Sequence, residues 1–129
     1  MFYKNIILAN TNIGVRMNKC NSHRHDSIKD RLMNCGEYNN QVEVVSKTFS
    51  LLGDKSRMKI LLALLEGELC VYHICEITGA KQSATSQHLK KLKDGKIVKA
   101  RKEFNQVLYS IADEHVASII KAAIEHKDC

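Results

Sequence analysis

The hydrophobic period of this chain changes once and then changes back, and that switch limits its fold more than any other feature. Before Gly95 the apolar residues recur at three- and four-residue steps, the spacing of one face of an α-helix. After Gly95 they alternate. Ile97, Val98 and Ala100, then Val107, Leu108, Tyr109 and Ile111, flank a polar tip of residues 101–106 with Asn105 at the turn, which predicts one two-stranded hairpin. Over residues 113–126 the helical step returns with Val116, Ile119, Ile120, Ala123 and Ile124. Helices interrupted by a single hairpin predict a mainly α fold with a small β-hairpin.

Breakers divide the helical part. Val42, Val45, Phe49 and Leu52 predict a first helix over 40–52, closed by Gly53. Asp54 stands as the N-cap of a second over 55–66, whose Met58, Ile60, Leu61, Leu62, Leu64 and Leu65 leave little polar face, so it should be buried. A short third helix follows Glu68, carries Leu69, Val71, Ile74 and Ile77, and ends at Thr78 and Gly79. Ser83 is the expected N-cap of a fourth over 84–92, with Leu89 and Leu92 facing inward. A short helix, a glycine turn and a polar-faced helix are spaced as a helix-turn-helix, and the hairpin adds a wing. The 129 residues suit one such domain, over 40–129. Residues 1–39 read as a flexible polar arm with a short helix at 27–33. Codons for Gly14, Val15 and Arg16 would suit a ribosome-binding sequence, which makes Met17 a candidate native start.

Charge narrows the partners. Lys and Arg number 20 against 14 Asp and Glu, a formal +6, which suits a polyanion, nucleic acid ahead of an anionic membrane surface. The longest apolar run, the stretch around residues 61–65, falls far short of the roughly 20 residues of a membrane span, and residues 1–10 lack an export cleavage pattern. A soluble, cytoplasmic chain with no membrane partner is expected. In that reducing compartment, five Cys mixed with His point to metal or redox chemistry ahead of disulfides.

The fourth helix offers Gln82, Ser83, Thr85, Ser86, Gln87, Lys90 and Lys91 on its polar side. Gln pairs with adenine edges, Ser and Thr reach bases or phosphates, and lysines follow the backbone. A lysine-rich face is also what simple solvation produces. The adjoining wing, with Lys99, Arg101 and Lys102, tips the balance toward double-stranded DNA. His88 reads as a structural histidine. No Gly-rich phosphate loop, His-Glu-x-x-His motif or nucleophile elbow is present, so neither an enzyme nor a small-molecule substrate is expected.

Two donor clusters suggest an input. Asp113, His115, His126 and Cys129 lie on or beside the last helix. His115 and His126 share a face but stand about 16 Å apart, too far for one ion within one chain. In an antiparallel two-fold pair, Asp113 and His115 of one helix meet His126 and Cys129 of the other, giving two identical sites. Such a set suits Zn(II), with cobalt next. The plainer alternative is that Asp113 caps the helix and the histidines are surface residues. The second cluster joins Cys70, His73 and Cys75 to Cys20 and His23 in the arm. Cys70 and His73 lie one turn apart on one face, and Cys20 with His23 would complete two thiols and two imidazoles.

The segment from Glu68 to Val71, the segment from Gln82 to Leu92 and the strand Val98-Lys99-Ala100-Arg101-Lys102 resemble the arsenical-resistance and metallothionein repressor (ArsR/SmtB) family over roughly residues 40–129. The resemblance implies a homodimer whose metal-free form holds a palindromic operator and whose metal-bound form releases it. It implies the last-helix ligand spacing too, with Cys129 where relatives usually carry His or Glu; Asp128, the terminal carboxylate or water are the other candidates for that place. Relatives that sense cadmium, lead or arsenite carry a Cys-Val-Cys pair on the third helix. Here Tyr72 replaces the second thiol while Cys70 and Cys75 match the first and third of the arsenite pattern. A response to arsenite, cadmium or redox state through Cys70 and Cys75, or no metal effector at all, is therefore the alternative. The wing tip departs from the family, which often has Gly where this chain has Phe104-Asn105-Gln106.

Overall fold

A computed structural model describes residues 22–128. Cys20, Cys129 and the candidate start at Met17 lie outside the described residues. The chain divides between Asn39 and Asn40 into two units. In the first, α1 (His23–Met33) begins four residues ahead of the expected 27–33 and buries none of its residues. Helix α2 (Gly36–Leu52) leads into the second unit, which continues with α3 (Lys55–Leu64), β1 (Leu69–Cys70), α4 (Val71–Thr78), α5 (Gln82–Asp94), β2 (Val98–Glu103), β3 (Gln106–Ile111) and α6 (Glu114–His126). Among the described residues no helix is long and apolar enough to cross a membrane.

The junction of α2 and α3 is fastened by two side chains. The Asp54 carboxylate accepts the Arg57 N–H at 2.9 Å, capping α3, and the Arg57 guanidinium returns to donate to the Leu51 carbonyl at 2.9 Å. Helix α3 then buries Ile60, Leu61 and Leu64 at the centre of the unit. Around them pack Leu52, Ile74, Leu89, Leu92, Ile97, Val98, Val116 and Ile120, so from α2 onward every element except β1 and β3 contributes a buried residue to one core. Leu69, Tyr109 and Ile111 add partly buried cover from those two strands.

The sheet has three strands where two were expected, in the order β1-β3-β2, all antiparallel. Leu69 and Cys70, read from sequence as the start of a helix, are extended and pair with Tyr109 and Leu108. A two-residue strand is too short to show a period. The wing is also longer than its apolar residues suggested, because pairing continues through Arg101, Lys102 and Glu103 into the polar tip. Glu103 pairs with Gln106, which leaves Phe104 and Asn105 as a two-residue turn. Phe104 has φ +54°. That is a left-handed conformation which costs a residue with a side chain roughly 1–2 kcal/mol, and hairpins usually place glycine there.

The burial of α5 yields a direct check. Leu89 is completely enclosed. Truncating Leu89→Ala should therefore destabilise the domain by about 2–5 kcal/mol in urea unfolding; a loss under about 1 kcal/mol would mean α5 is not packed as described.

Candidate functional site

Helices α4 and α5 meet at Gly79, whose φ of +74° places it in the left-handed region open to glycine at little cost. Helix α5 starts at Gln82, with Lys81 at the N-cap, so Ser83 lies in the first turn instead of capping it. No side chain caps the first-turn amides of α5. Thr85, Leu89 and Leu92 form the inward stripe at steps of four and three. Thr85 is a correction to the predicted DNA-contacting set: it is fully buried, and its hydroxyl accepts a hydrogen bond from the Cys75 thiol at 3.4 Å. Gln82, Ser83, Ser86, Gln87, Lys90 and Lys91 are exposed, joined by Lys93. His88 is half-buried, with Nδ1 enclosed and without a hydrogen-bond partner.

On the wing, Lys99 and Lys102 are exposed and Arg101 is engaged inside the chain. Its Nε and Nη2 donate to the two carboxylate oxygens of Glu68, each at 2.8 Å, and Nη2 also reaches Glu103 at 3.0 Å. The register explains the meeting. Cys70 and Arg101 both stand opposite Leu108, so Glu68, two residues before Cys70, comes to the same face of the sheet as Arg101. The hydrogen bonds from Arg101 hold the Glu68 carboxyl below its ordinary value of 4.5 and raise the guanidinium in turn. Sequence reasoning offered Arg101 as a free phosphate contact and missed Glu68, because the two lie 33 residues apart and only the third strand joins them.

Two structural pairs stand out among the predicted metal donors. The Cys70 sulfur and His73 Nδ1 lie 3.1 Å apart at the start of α4. Cys75 lies about 140° around the helix from Cys70 and is committed to Thr85, so the structure does not bring it to that pair. His23 belongs to α1 in the first unit. At the other end, Asp113 caps α6 by accepting the Val116 N–H at 3.0 Å, and His115 Nδ1 stands 3.8 Å from the same carboxylate oxygen. His115 is 94% exposed, and His126 is exposed in the last turn of α6. Among the described residues no three donors of one chain converge on a point. Beside this helix, Phe49, Leu52, Met58, Ile119, Ile120 and Ala123 line an apolar groove, and Val42, Val45 and Phe49 of α2 are about half exposed.

The Glu68 charge makes a pH-dependent contribution whose sign follows from its lowered carboxyl value. The ion pair stabilises the fold fully above the ordinary glutamate range, and that contribution is lost as pH falls through the depressed value. Glu68→Gln should therefore lower the thermal midpoint slightly at neutral pH, with the gap to wild type closing as the pH falls below the ordinary glutamate range. A gap of constant size across that range would show that the charge is not its source.

Residues 54–100 match the family described as bacterial regulatory protein, arsR family. Over 84 residues the chain is 43% identical to a cadmium resistance transcriptional regulatory protein CadC homolog of Staphylococcus aureus, a match covering 64% of this chain and 69% of that protein. Over 86 residues it is 34% identical to a transcriptional repressor SmtB homolog of Synechocystis, covering 67% and 65%. It also superposes on the homodimeric winged helix-turn-helix DNA-binding domain Mb0332 of Mycobacterium bovis with a TM-score of 0.68 at 30% identity, covering 73% of this chain and 87% of that one. With the exposed polar face of α5, the glycine turn before it and the wing after it, these likenesses have one meaning: the chain belongs to the ArsR family of winged helix-turn-helix, DNA-binding transcriptional regulators.

Proposed function

We propose that this protein is a dimeric, metal-responsive transcriptional repressor that holds a palindromic operator when metal-free and leaves it on binding zinc or a similar divalent ion. The observation that carries the reading is the division of α5, whose inward stripe is wholly apolar apart from Thr85 and whose outward face is wholly polar and lysine-rich. Gln82, Ser83, Ser86 and Gln87 would meet base edges in the major groove, with Lys90 and Lys91 on phosphates. Lys99 and Lys102 would hold the backbone beside it. A regulator of this kind works where the chromosome is, in the cytoplasm.

A second copy suits the apolar surface of α2 and α6, since exposed valines and Phe49 beside an apolar groove favour burial. The relative Mb0332 is homodimeric. The donor chemistry also calls for two chains. Asp113 and His115 supply one carboxylate and one imidazole at one end of α6, and His126 supplies another imidazole three turns away. Paired antiparallel, the two helices would hold a divalent ion at each end through Asp113 and His115 of one chain and His126 of the other, with Cys129 as the fourth donor. Bound there, the ion would crosslink the two α6 helices and fix their relative angle. The two α5 helices must sit about 34 Å apart to read adjacent major grooves, so a small enforced rotation is enough to weaken binding. For the zinc titration, a duplex selected from a random pool by the metal-free chain serves as operator. Saturating zinc should weaken its binding at least about tenfold in fluorescence anisotropy, and His115→Ala should erase that effect while leaving metal-free affinity within about twofold. Equal affinity with and without zinc would sink the sensor reading.

The adjacency of the Cys70 sulfur and His73 Nδ1 favours a second reading, in which a softer ion such as cadmium or arsenite is the effector and is taken at the start of α4. The name of the Staphylococcus relative, a cadmium resistance regulator, points the same way. Metal analysis separates the two. If α6 holds the ion, Cys70→Ser should keep about two zinc per dimer; loss of bound metal in that variant would move the site to Cys70 and His73.

A further inference from the structure

The most exposed large apolar side chain among the described residues is Phe104, 92% accessible at the tip of the wing. Its backbone is as unusual as its exposure. Phe104 and Lys96 are the only non-glycine residues described with positive φ, and in the turn closed by Glu103 and Gln106 a glycine would be the unstrained choice. A bulky residue in that region is an outlier that points to a functional demand. Packing does not supply the demand, because the ring is almost wholly in solvent. Nor is the surrounding surface an apolar patch of the kind that docks another protein, since Lys102 and Glu103 precede the ring and Asn105 and Gln106 follow it, all exposed.

We infer that Phe104 is a wedge that enters the minor groove beside the α5 contact and partly unstacks one base step in each half-site, so that the wing reads how easily the duplex deforms there. The inference rests on the DNA-binding reading above. Three features support it. The wing narrows to a turn of two residues, Phe104 and Asn105, so a single side chain leads at its tip, as entry into a narrow groove requires. Lys99 and Lys102 stand exposed on the same strand to hold the flanking phosphates, one on each face of the ribbon. Finally, an aromatic ring presented without cover at the end of a basic hairpin has the chemistry by which architectural proteins part base steps. Pyrimidine-purine steps such as TA unstack most easily, so the preferred sites should carry one at the wing position.

The test uses the full chain and a duplex it selects from a random pool, with 2-aminopurine placed in turn at each adenine. Wild type should raise the fluorescence at one step per half-site at least about twofold, as unstacking does. Phe104→Gly should bind the same duplex about tenfold more weakly and give no rise. Its thermal midpoint should match or exceed that of wild type, because glycine relieves the turn. Phe104→Leu keeps both an apolar wedge and the backbone strain, and should restore much of the rise. A Phe104→Gly protein with unchanged affinity and unchanged fluorescence overturns the wedge and leaves DNA binding standing. A wild-type chain that selects no duplex overturns both.

Discussion

The structure depends first on the burial of one stripe of α5. Thr85, Leu89 and Leu92 lie against the core built from Ile60, Leu61, Leu64 and Ile74, and all three are completely enclosed. Residues spaced by four and three share a helix face, so enclosing them fixes the rotation of α5 about its own axis. The face that is left, with Gln82, Ser86, Gln87 and Lys90, can then only point to solvent. Packing and the placing of the exposed polar face are thus one decision. The buried Thr85 hydroxyl would be a liability in such a core, and the Cys75 thiol relieves it by donating a hydrogen bond. A cysteine that looks available in the sequence is thereby committed to holding α4 against α5.

The second organising element is β3, which pairs with β2 on one side and β1 on the other. Through it the start of α4, with Cys70 and His73, is tied to the same small sheet as the wing. Glu68 and Arg101 close this connection with a bidentate ion pair across the sheet. The pair is partly exposed and adds little to stability on its own. Its larger effect is on charge: the guanidinium is neutralised from within the chain, and Lys99 and Lys102 stand beside it as exposed cations of the wing.

The two donor pairs differ in what they ask of the rest of the molecule. Cys70 and His73 are brought together by one turn of one helix. Asp113 and His115 are brought together by a helix cap, while His126 stands at the far end of the same helix. Helix geometry alone keeps the two ends apart, and no packing within one chain can change that. A second chain is what a shared site there would require, and the apolar surface of α2 and α6 is suited to receive one.

Sequence by itself determined the kinds and order of the helices and of the wing hairpin, the inward places of Leu89 and Leu92, the turn at Gly79 and the eleven-residue separation of His115 from His126. These are all local. A helical or alternating period, a cap and a breaker act within a few residues of one another, so they are written where they act. Only the tertiary structure decided that Leu69 and Cys70 leave the helix to pair with β3, that Thr85 turns inward, that Arg101 spends its charge on Glu68, and that Phe104 stands exposed in a strained turn. Each depends on which distant segment lies alongside and in what register. A two-residue strand carries no period, a threonine on a helix is polar by composition whichever way it faces, and an ion pair between residues 33 apart exists only once the sheet has brought them together.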